Sequence, residues 1–126
     1  SGEIRKPEDA REVLRAAISG HLVISTIHAG SIEEAINSLV KLTASGDSTA
    51  EFARDMLANG LAGVIHQKLV RTRGKRMLKV RTLFTGEESA VRQHIREGTV
   101  SQLGTYIQQQ ESRVLNGKEP VEMKRR

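Results

Sequence analysis

The sequence predicts an α/β fold in which parallel strands are joined by a helix and are followed by a hairpin and further helices. Three observations predict it. Apolar residues recur at helical spacing over 7–19, a continuous apolar run occupies 22–27, and two runs with strand character flank a turn at 72–75. A helix that leads into a strand with apolar residues on both faces is the unit that joins neighbouring parallel strands. With 126 residues the chain is one domain or a piece of one.

The first helix and the first complete strand are predicted next to each other. Proline suits the first position of a helix from Pro7 to Ser19, and Gly20 suits the position after its end. Its apolar residues share one face: Ala10, Val13, Leu14, Ala17 and Ile18. The run from Leu22 to Ile27 is short and rich in β-branched residues, so it is predicted to be a strand covered on both faces inside a parallel sheet.

Two helices are predicted after that strand. Ser31 and Glu34 form a capping-box pattern before a helix that runs to about Ala44, and the sequence 45–47 breaks it. Ser48 and Glu51 repeat the pattern before a third helix, which weakens at 59–60.

A hairpin and C-terminal helices complete the prediction. The runs 63–71 and 76–84 flank the turn, and the alternation in the second run predicts one solvent-facing side. A helix over 87–97 stops at Gly98, and a last helix follows the cap pattern of Thr99 and Gln102. The tail after Asn116, which ends in Lys124-Arg125-Arg126, is predicted to be mobile and solvated.

Composition excludes several classes of protein. The chain has no cysteine, which excludes a disulfide framework, a thiolate zinc site and a cysteine nucleophile. No apolar run reaches the roughly 18 residues that span a bilayer. The net charge of +5 permits contact with nucleic acid, acidic lipid or an acidic partner, but an ordinary basic surface is the favoured explanation. Only three aromatic residues are present, which weakens a base-stacking role.

One carboxylate and one imidazole are expected at the same edge of the sheet. Glu3 follows the end of one predicted strand and His28 follows the next, and ligands of open α/β sheets bind beyond these strand ends. A carboxylate there can deprotonate a water, and an imidazole can donate to a phosphate oxygen. The alternative is a surface carboxylate and a loop histidine. His21 lies roughly 20 Å from His28 along the strand, so no metal site is predicted. His66 and His94 are interpreted as structural.

Several motifs resemble one family when they are taken together. Gly2-Glu3-Ile4-Arg5, the segment 14–17 and the segment 20–28 resemble, in order and spacing, the secretion and pilus motor ATPases of the type II/type IV superfamily. The first is similar to the end of their Walker B motif, and Gly20 to His28 is similar to their His box. The segments 56–57 and 63–70 look like the strand that follows the His-box helices.

The resemblance extends to about Ile107 and has a more specific part. Ala90-Val91-Arg92-Gln93-His94-Ile95-Arg96-Glu97 is similar to the Ala-Ile-Arg-Asn-Leu-Ile-Arg-Glu motif of the PilT-type pilus retraction ATPases. Assembly-type relatives commonly carry a four-cysteine zinc insertion, which this chain lacks. The chain therefore resembles the C-terminal half of a retraction-type motor.

The resemblance implies a fold, domains and residue roles. It implies a partial RecA-like P-loop NTPase core with parallel strands plus a hairpin over 1–85, a C-terminal helical subdomain over 86–115 and a flexible basic tail over 116–126. Glu3 would be the catalytic Walker B glutamate and His28 the His-box residue that faces the γ-phosphate. Other residues of the same motifs would bind nucleotide or shape the site: Gly2, Arg5, His21 and Thr26. The retraction-type helix would couple nucleotide state to motor output through three charged residues: Arg92, Arg96 and Glu97.

The resemblance also implies cofactors, partners and a location. The full-length protein would use ATP and Mg²⁺, form a homo-hexamer, and work in the cytoplasm at the periphery of the bacterial inner membrane. Its partner would be the platform protein of a pilus or secretion machine, and no DNA would be expected.

Two departures from the family pattern change what the isolated chain should do. Lys6 stands where members usually have an aspartate suited to cap the following helix, which puts the geometry beside Glu3 in question. No Gly-x-x-x-x-Gly-Lys-(Ser/Thr) sequence occurs, although family members carry this phosphate loop upstream. The fragment alone is therefore expected to be inactive and to self-associate through an exposed strand edge. The alternative is a non-catalytic basic interaction module that binds an acidic protein or nucleic acid.

Overall fold

Five α-helices, one short 3-10 helix and one hairpin form the part of the chain that the structure describes. A computed structural model describes residues 2–45, 49–86 and 89–122. In chain order the elements are α1 (Pro7–Ile18), α2 (Ile32–Ala44), α3 (Ala50–Gly60), β1 (Gly63–Thr72), β2 (Lys75–Phe84), α4 (Ser89–Glu97), the 3-10 helix Val100–Gln102 and α5 (Gly104–Leu115). The mixed α/β fold class is confirmed.

The helices begin where their side chains cap the backbone. The Ser31 hydroxyl accepts from the Glu34 N–H at 3.1 Å, which confirms the predicted start of α2. Helix α3 is capped by Thr49, whose hydroxyl accepts from the Phe52 N–H at 3.1 Å. The predicted cap of α3 was therefore wrong by one position, and Ser48 itself lies outside the described residues.

Lys6 precedes α1 without capping it through its side chain. An ammonium group has no acceptor, and the cap is instead supplied from within the helix. The Asp9 carboxylate accepts from the backbone N–H of Lys6 at 3.1 Å and of Arg5 at 3.3 Å. The chain therefore keeps an acidic cap beside Glu3, displaced by three residues.

One apolar core holds α1 to α5 against the base of the hairpin. Its largest fully buried side chains are Ile32, Ile36, Leu57, Leu83, Val91, Ile95 and Leu103. Burying each such side chain stabilises the fold by roughly 1.5–3 kcal/mol. Val121 is also buried, so the segment predicted to be a mobile tail packs on the protein at least that far. Residues 123–126 lie outside the described part.

The hairpin forms in the predicted place. β1 and β2 pair antiparallel from Gly63 opposite Phe84 to Thr72 opposite Lys75. Arg73 and Gly74 connect them with φ values of 53° and 76°, the left-handed pair that a two-residue type I′ turn requires. The predicted single solvent-facing side is wrong, because Leu69 and Leu78 on one face and Lys68 and Lys79 on the other are all exposed.

The base of β2 is fixed by a side-chain amide. Gln110 of α5 is buried, and its amide accepts from the Phe84 N–H and donates to the Phe84 carbonyl, both at 2.8 Å. Thr85 continues the attachment, because its N–H donates to the Ala62 carbonyl at 3.0 Å. The inner end of the hairpin is therefore anchored to the helical core.

The run from Leu22 to Ile27 is extended but does not lie inside a sheet. A parallel bridge between Glu3 and Thr26 joins this run to the start of the chain. Leu22 is 86% exposed, so the prediction of a strand covered on both faces was wrong. Apolar sequence predicts that a run can be buried, whereas burial also needs neighbouring elements to cover it. Among the described helices none is long and apolar enough to cross a membrane.

Candidate functional site

Glu3 and His28 meet at one edge of the molecule. The Ile4 N–H donates to the Thr26 carbonyl at 2.7 Å, and the Ser25 hydroxyl donates to the Gly2 carbonyl at 2.6 Å. These two bonds align the ends of the two extended segments in parallel. His28 Nε2 then lies 3.3 Å from Glu3 Oε1, which confirms the predicted proximity.

Arg5 binds the second oxygen of the Glu3 carboxylate. Its Nε donates to Glu3 Oε2 at 2.6 Å. This hydrogen bond is the main reason why the pKa of the Glu3 carboxyl lies below its usual value, and the charges of Arg5 and His28 act in the same direction. Glu3 in turn raises the pKa of Arg5. Glu3 is therefore held as a carboxylate at neutral pH.

The exposures of the three residues differ. About a quarter of the Glu3 side chain is exposed, whereas the His28 side chain is 90% exposed. The carboxylate is fixed from two sides, while the imidazole projects from the surface with Glu3 as its ionic contact. A carboxylate has about four lone-pair sites, so Glu3 can still accept a hydrogen bond from a water or another ligand.

The other residues of the first two motifs lie around this edge. The Gly2 carbonyl accepts from the Ser25 hydroxyl and the Thr26 carbonyl from the Ile4 N–H, so both residues contribute backbone groups rather than side-chain groups. His21 shares with Glu3 an open cleft of about 460 Å³ between α1 and the extended segment. His28 does not line this cleft, so the structure places the two histidines in different surroundings.

The arginines of the third motif bind a neighbouring helix. The Arg92 guanidinium donates to the Ala58 carbonyl at 2.6 Å and to the Gly86 carbonyl at 3.1 Å, with a longer contact to Leu61 at 3.4 Å. Arg92 thus caps the C-terminal end of α3 and joins it to Gly86, two residues after β2. Its side chain is part-buried and committed to backbone groups of the same chain.

Arg96 and Glu97 lie nearer the surface of the same contact. Arg96 donates to Asp55 Oδ1 at 3.1 Å, to Asn59 Oδ1 at 3.0 Å and to Gln93 Oε1 at 3.0 Å. Glu97 accepts from the Gln93 amide at 2.6 Å. The bonds of Arg96 to Asp55 and Asn59 connect α4 to α3, whereas the two bonds of Gln93 lie within α4.

Sequence reasoning missed three contributors to the Glu3 edge. Asp9 and Ser25 bond to backbone groups of the Glu3 segment, and His66 of β1 lies 2.9 Å from the Ala29 carbonyl through Nε2. Asp9 could have been identified from the sequence, because an acidic residue at the third position of a helix commonly accepts from the backbone N–H groups that precede the helix. The contacts of Ser25 and His66 span 23 and 37 residues, so no local pattern could reveal them.

The described residues contain no group of three or more histidine, cysteine or acidic side chains placed to hold a metal ion. The whole sequence also contains no phosphate loop. A carboxylate and an imidazole 3.3 Å apart can accept a proton and donate a hydrogen bond to a ligand.

Comparison with known proteins gives one family. The profile described as type II/IV secretion system protein matches residues 1–122. A twitching motility protein of Neisseria gonorrhoeae is 32% identical over 107 residues, which are 85% of this chain and 28% of that protein. The type IV pilus retraction ATPase PilT of Pseudomonas aeruginosa is 34% identical over 107 residues, 85% of this chain and 30% of that protein.

A solved structure agrees with these relatives. The crystal structure of the pilus retraction motor PilT with bound ADP superposes with a TM-score of 0.72 at 32% identity, and the match covers 85% of this chain and 30% of that one. The chain therefore spans under a third of the length of each of these three proteins.

Proposed function

Because the chain belongs to the type II/IV secretion system protein family, we propose that it supplies the Glu3 and His28 edge of a motor ATPase that drives pilus retraction or a related secretion or conjugation step. The observation that carries the proposal is the 3.3 Å approach of His28 to Glu3 at the ends of two parallel segments. The relatives named as ATPases and the ADP-bound structure of PilT support it.

The proposed chemistry assigns one role to each side chain. Glu3 orients the attacking water and accepts its proton, a role for which the carboxylate is kept ionised by Arg5. His28 donates to a phosphate oxygen from the exposed side of the carboxylate. ATP supplies the phosphoanhydride bond, and Mg²⁺ supplies charge that the transferring phosphate needs. The surroundings of Glu3 and His28 at this edge are shaped by four further residues: Gly2, Arg5, His21 and Thr26.

Activity is proposed only for a longer assembly. Since this sequence has no phosphate loop, the nucleotide has to be held by residues outside these 126, and the fragment alone is proposed to be inactive. The proposal includes a homo-hexamer, a location in the cytoplasm at the periphery of the inner membrane, and a membrane platform protein as partner. The twitching motility and pilus retraction named for the relatives support the link to a pilus machine.

The test uses a full-length motor that contains this sequence. Glu3→Gln keeps the shape of the side chain and removes its basicity, so steady-state hydrolysis should fall by roughly a hundredfold or more while nucleotide binding stays unchanged. Glu111→Gln, at an exposed position of α5, is the matched control and should leave turnover unchanged. Equal turnover of Glu3→Gln and wild type would overturn the assignment.

The coupling role of α4 is a second part of the proposal. Arg92 connects α4 to the ends of α3 and β2, so a displacement of one of these elements is passed to the others. Arg96 extends the connection at the surface through Asp55 of α3, and Glu97 accepts from Gln93 within α4. Arg92→Ala is expected to abolish pilus retraction while ATP hydrolysis continues. Retraction and phosphate release are measured separately on the same variant.

Self-association of the isolated chain is proposed from its exposed apolar residues. The largest exposures among them are those of Leu22, Ile24, Leu69 and Leu115. Analytical ultracentrifugation over a wide concentration range should show association, and a monodisperse monomer throughout would contradict it.

A basic interaction module remains the second candidate, because one observation favours it. The hairpin carries seven Lys and Arg residues between 63 and 84 and no acidic residue. Lys68 lies directly opposite Lys79, and Arg71 opposite Arg76, although like charges in these positions destabilise a strand pair. Binding to DNA or RNA that weakens steeply with salt would support this candidate. Indifference to nucleic acid would leave the motor as the proposal.

A further inference from the structure

His66 connects the hairpin to the loop that carries His28. Its Nε2 lies 2.9 Å from the Ala29 carbonyl oxygen. A carbonyl oxygen only accepts, so Nε2 must carry a hydrogen and donate it. His66 is half-buried, and the bond joins two segments that are 37 residues apart.

Ala29 is the residue immediately after His28, and the backbone is held on both sides of that histidine. Before it, the Thr26 carbonyl accepts from the Ile4 N–H at 2.7 Å. After it come the bond of His66 to Ala29 and a bond from the Gly30 N–H to Glu34 at 2.6 Å. The His28 side chain is 90% exposed, so these backbone bonds set its position and side-chain packing does not.

The donor side of the bond is rigid. Val64, two residues before His66, pairs with Leu83, which is fully buried. The next residue of β2 is held at both backbone groups by Gln110. The inner end of the hairpin is thus part of the core, whereas His28 projects from it.

We propose that His66 is a positioning residue that holds His28 opposite Glu3. It touches neither of the two side chains and acts through the Ala29 carbonyl. As a consequence, the position of His28 is fixed relative to the inner end of the hairpin. The effect on hydrolysis rests on the proposed function, whereas the effect on the position of His28 does not.

The first experiment needs no nucleotide and uses this 126-residue chain in NMR. His66→Ala should lower the backbone order parameters of Ala29 and Gly30 from about 0.85 to below about 0.6. The same change should abolish the nuclear Overhauser contact between the His28 ring and the Glu3 methylene groups. His66→Gln has a side-chain N–H at a similar reach and should restore both signals.

Two further variants make the experiment decisive. Gln67→Ala alters the neighbouring exposed position of β1 and should change neither signal. His66→Leu keeps an apolar volume without the N–H, so it replaces His66→Ala if that variant unfolds. Unchanged order parameters and an unchanged ring contact in a folded variant without the donor would overturn the inference.

The second experiment measures hydrolysis in a full-length motor. His66→Ala should lower kcat by roughly ten- to a hundredfold with an unchanged KM for ATP, because a catalytic group displaced by about 1 Å loses that much. In the His28→Ala background it should cause no additional loss. Equal losses in both backgrounds would show that His66 acts on the fold generally and would contradict the inference. If Glu3→Gln leaves turnover unchanged, the proposed function fails, and the NMR result still decides the role of His66.

Discussion

The α3–α4 contact and the Glu3–His28 edge both carry charged residues of family motifs, and the structure uses these charges differently. At the α3–α4 contact, Arg92 is part-buried and its guanidinium is committed to backbone carbonyls. At the edge, the Arg5 side chain is about three-quarters exposed, and the His28 side chain is exposed to a still larger extent. The first arrangement stabilises helix packing, and the second leaves a carboxylate and an imidazole accessible to a ligand. A motif alone does not distinguish these two uses.

The largest expected effect tests the buried side of this comparison. Arg92→Ala leaves the carbonyls of Ala58 and Gly86 without their donor, so the free energy of unfolding should fall by about 2–4 kcal/mol. Urea unfolding at an unchanged m-value measures it. Arg92→Lys should recover only part of the loss, since an ammonium group cannot reach both carbonyls with a planar fork. A loss under about 0.5 kcal/mol, which is the range of surface substitutions, would remove the distinction between the two regions.

Arg96→Ala tests the exposed rim of the same contact. Arg96 has an ion pair with Asp55 and two further side-chain bonds, but more than a third of its side chain is exposed. Solvent screening therefore limits the expected loss of unfolding free energy to about 0.5–1 kcal/mol. The same urea titration measures it. A loss as large as that of Arg92→Ala would show that burial is not what separates the two arginines.

The smallest effect belongs to the open edge and depends on pH. The pKa of Glu3 is lowered in the folded chain, first by the hydrogen bond from Arg5. The stability that this provides is therefore present above the unfolded pKa of about 4.5 and is lost as the pH falls through the lower folded value. Arg5→Gln should raise the pKa of Glu3, as measured by a carboxyl-carbon NMR titration. Arg15→Gln, at an exposed position of α1, should leave it unchanged.

Sequence patterns predicted the features that depend on neighbouring residues or on the order of the extended segments. The cap at Ser31, the turn around Arg73 and Gly74, and the proximity of Glu3 to His28 followed from short motifs and strand order. The cap of α3 was misplaced by one residue because Ser48 and Thr49 are chemically similar candidates. Local chemistry thus fixes the existence of an element better than its first residue.

The features that sequence patterns could not predict depend on contacts between distant segments. The burial of Leu22 requires covering elements, which its own sequence does not specify. The carbonyl partners of Arg92 include one that is 34 residues away, and that of His66 is 37 residues away. An arginine on a helix and a histidine on a strand each have many possible partners, so only the fold selects among them.

The two bonds between Gln110 and Phe84 fix the register of α5. One residue along a helix corresponds to an axial rise of about 1.5 Å, whereas both bonds are 2.8 Å long and come from a single planar amide. A slide of α5 by one residue would break both bonds together and leave a buried amide unsatisfied. The C-terminal helix can therefore tilt about this contact, but it cannot slip along its own axis without breaking both bonds.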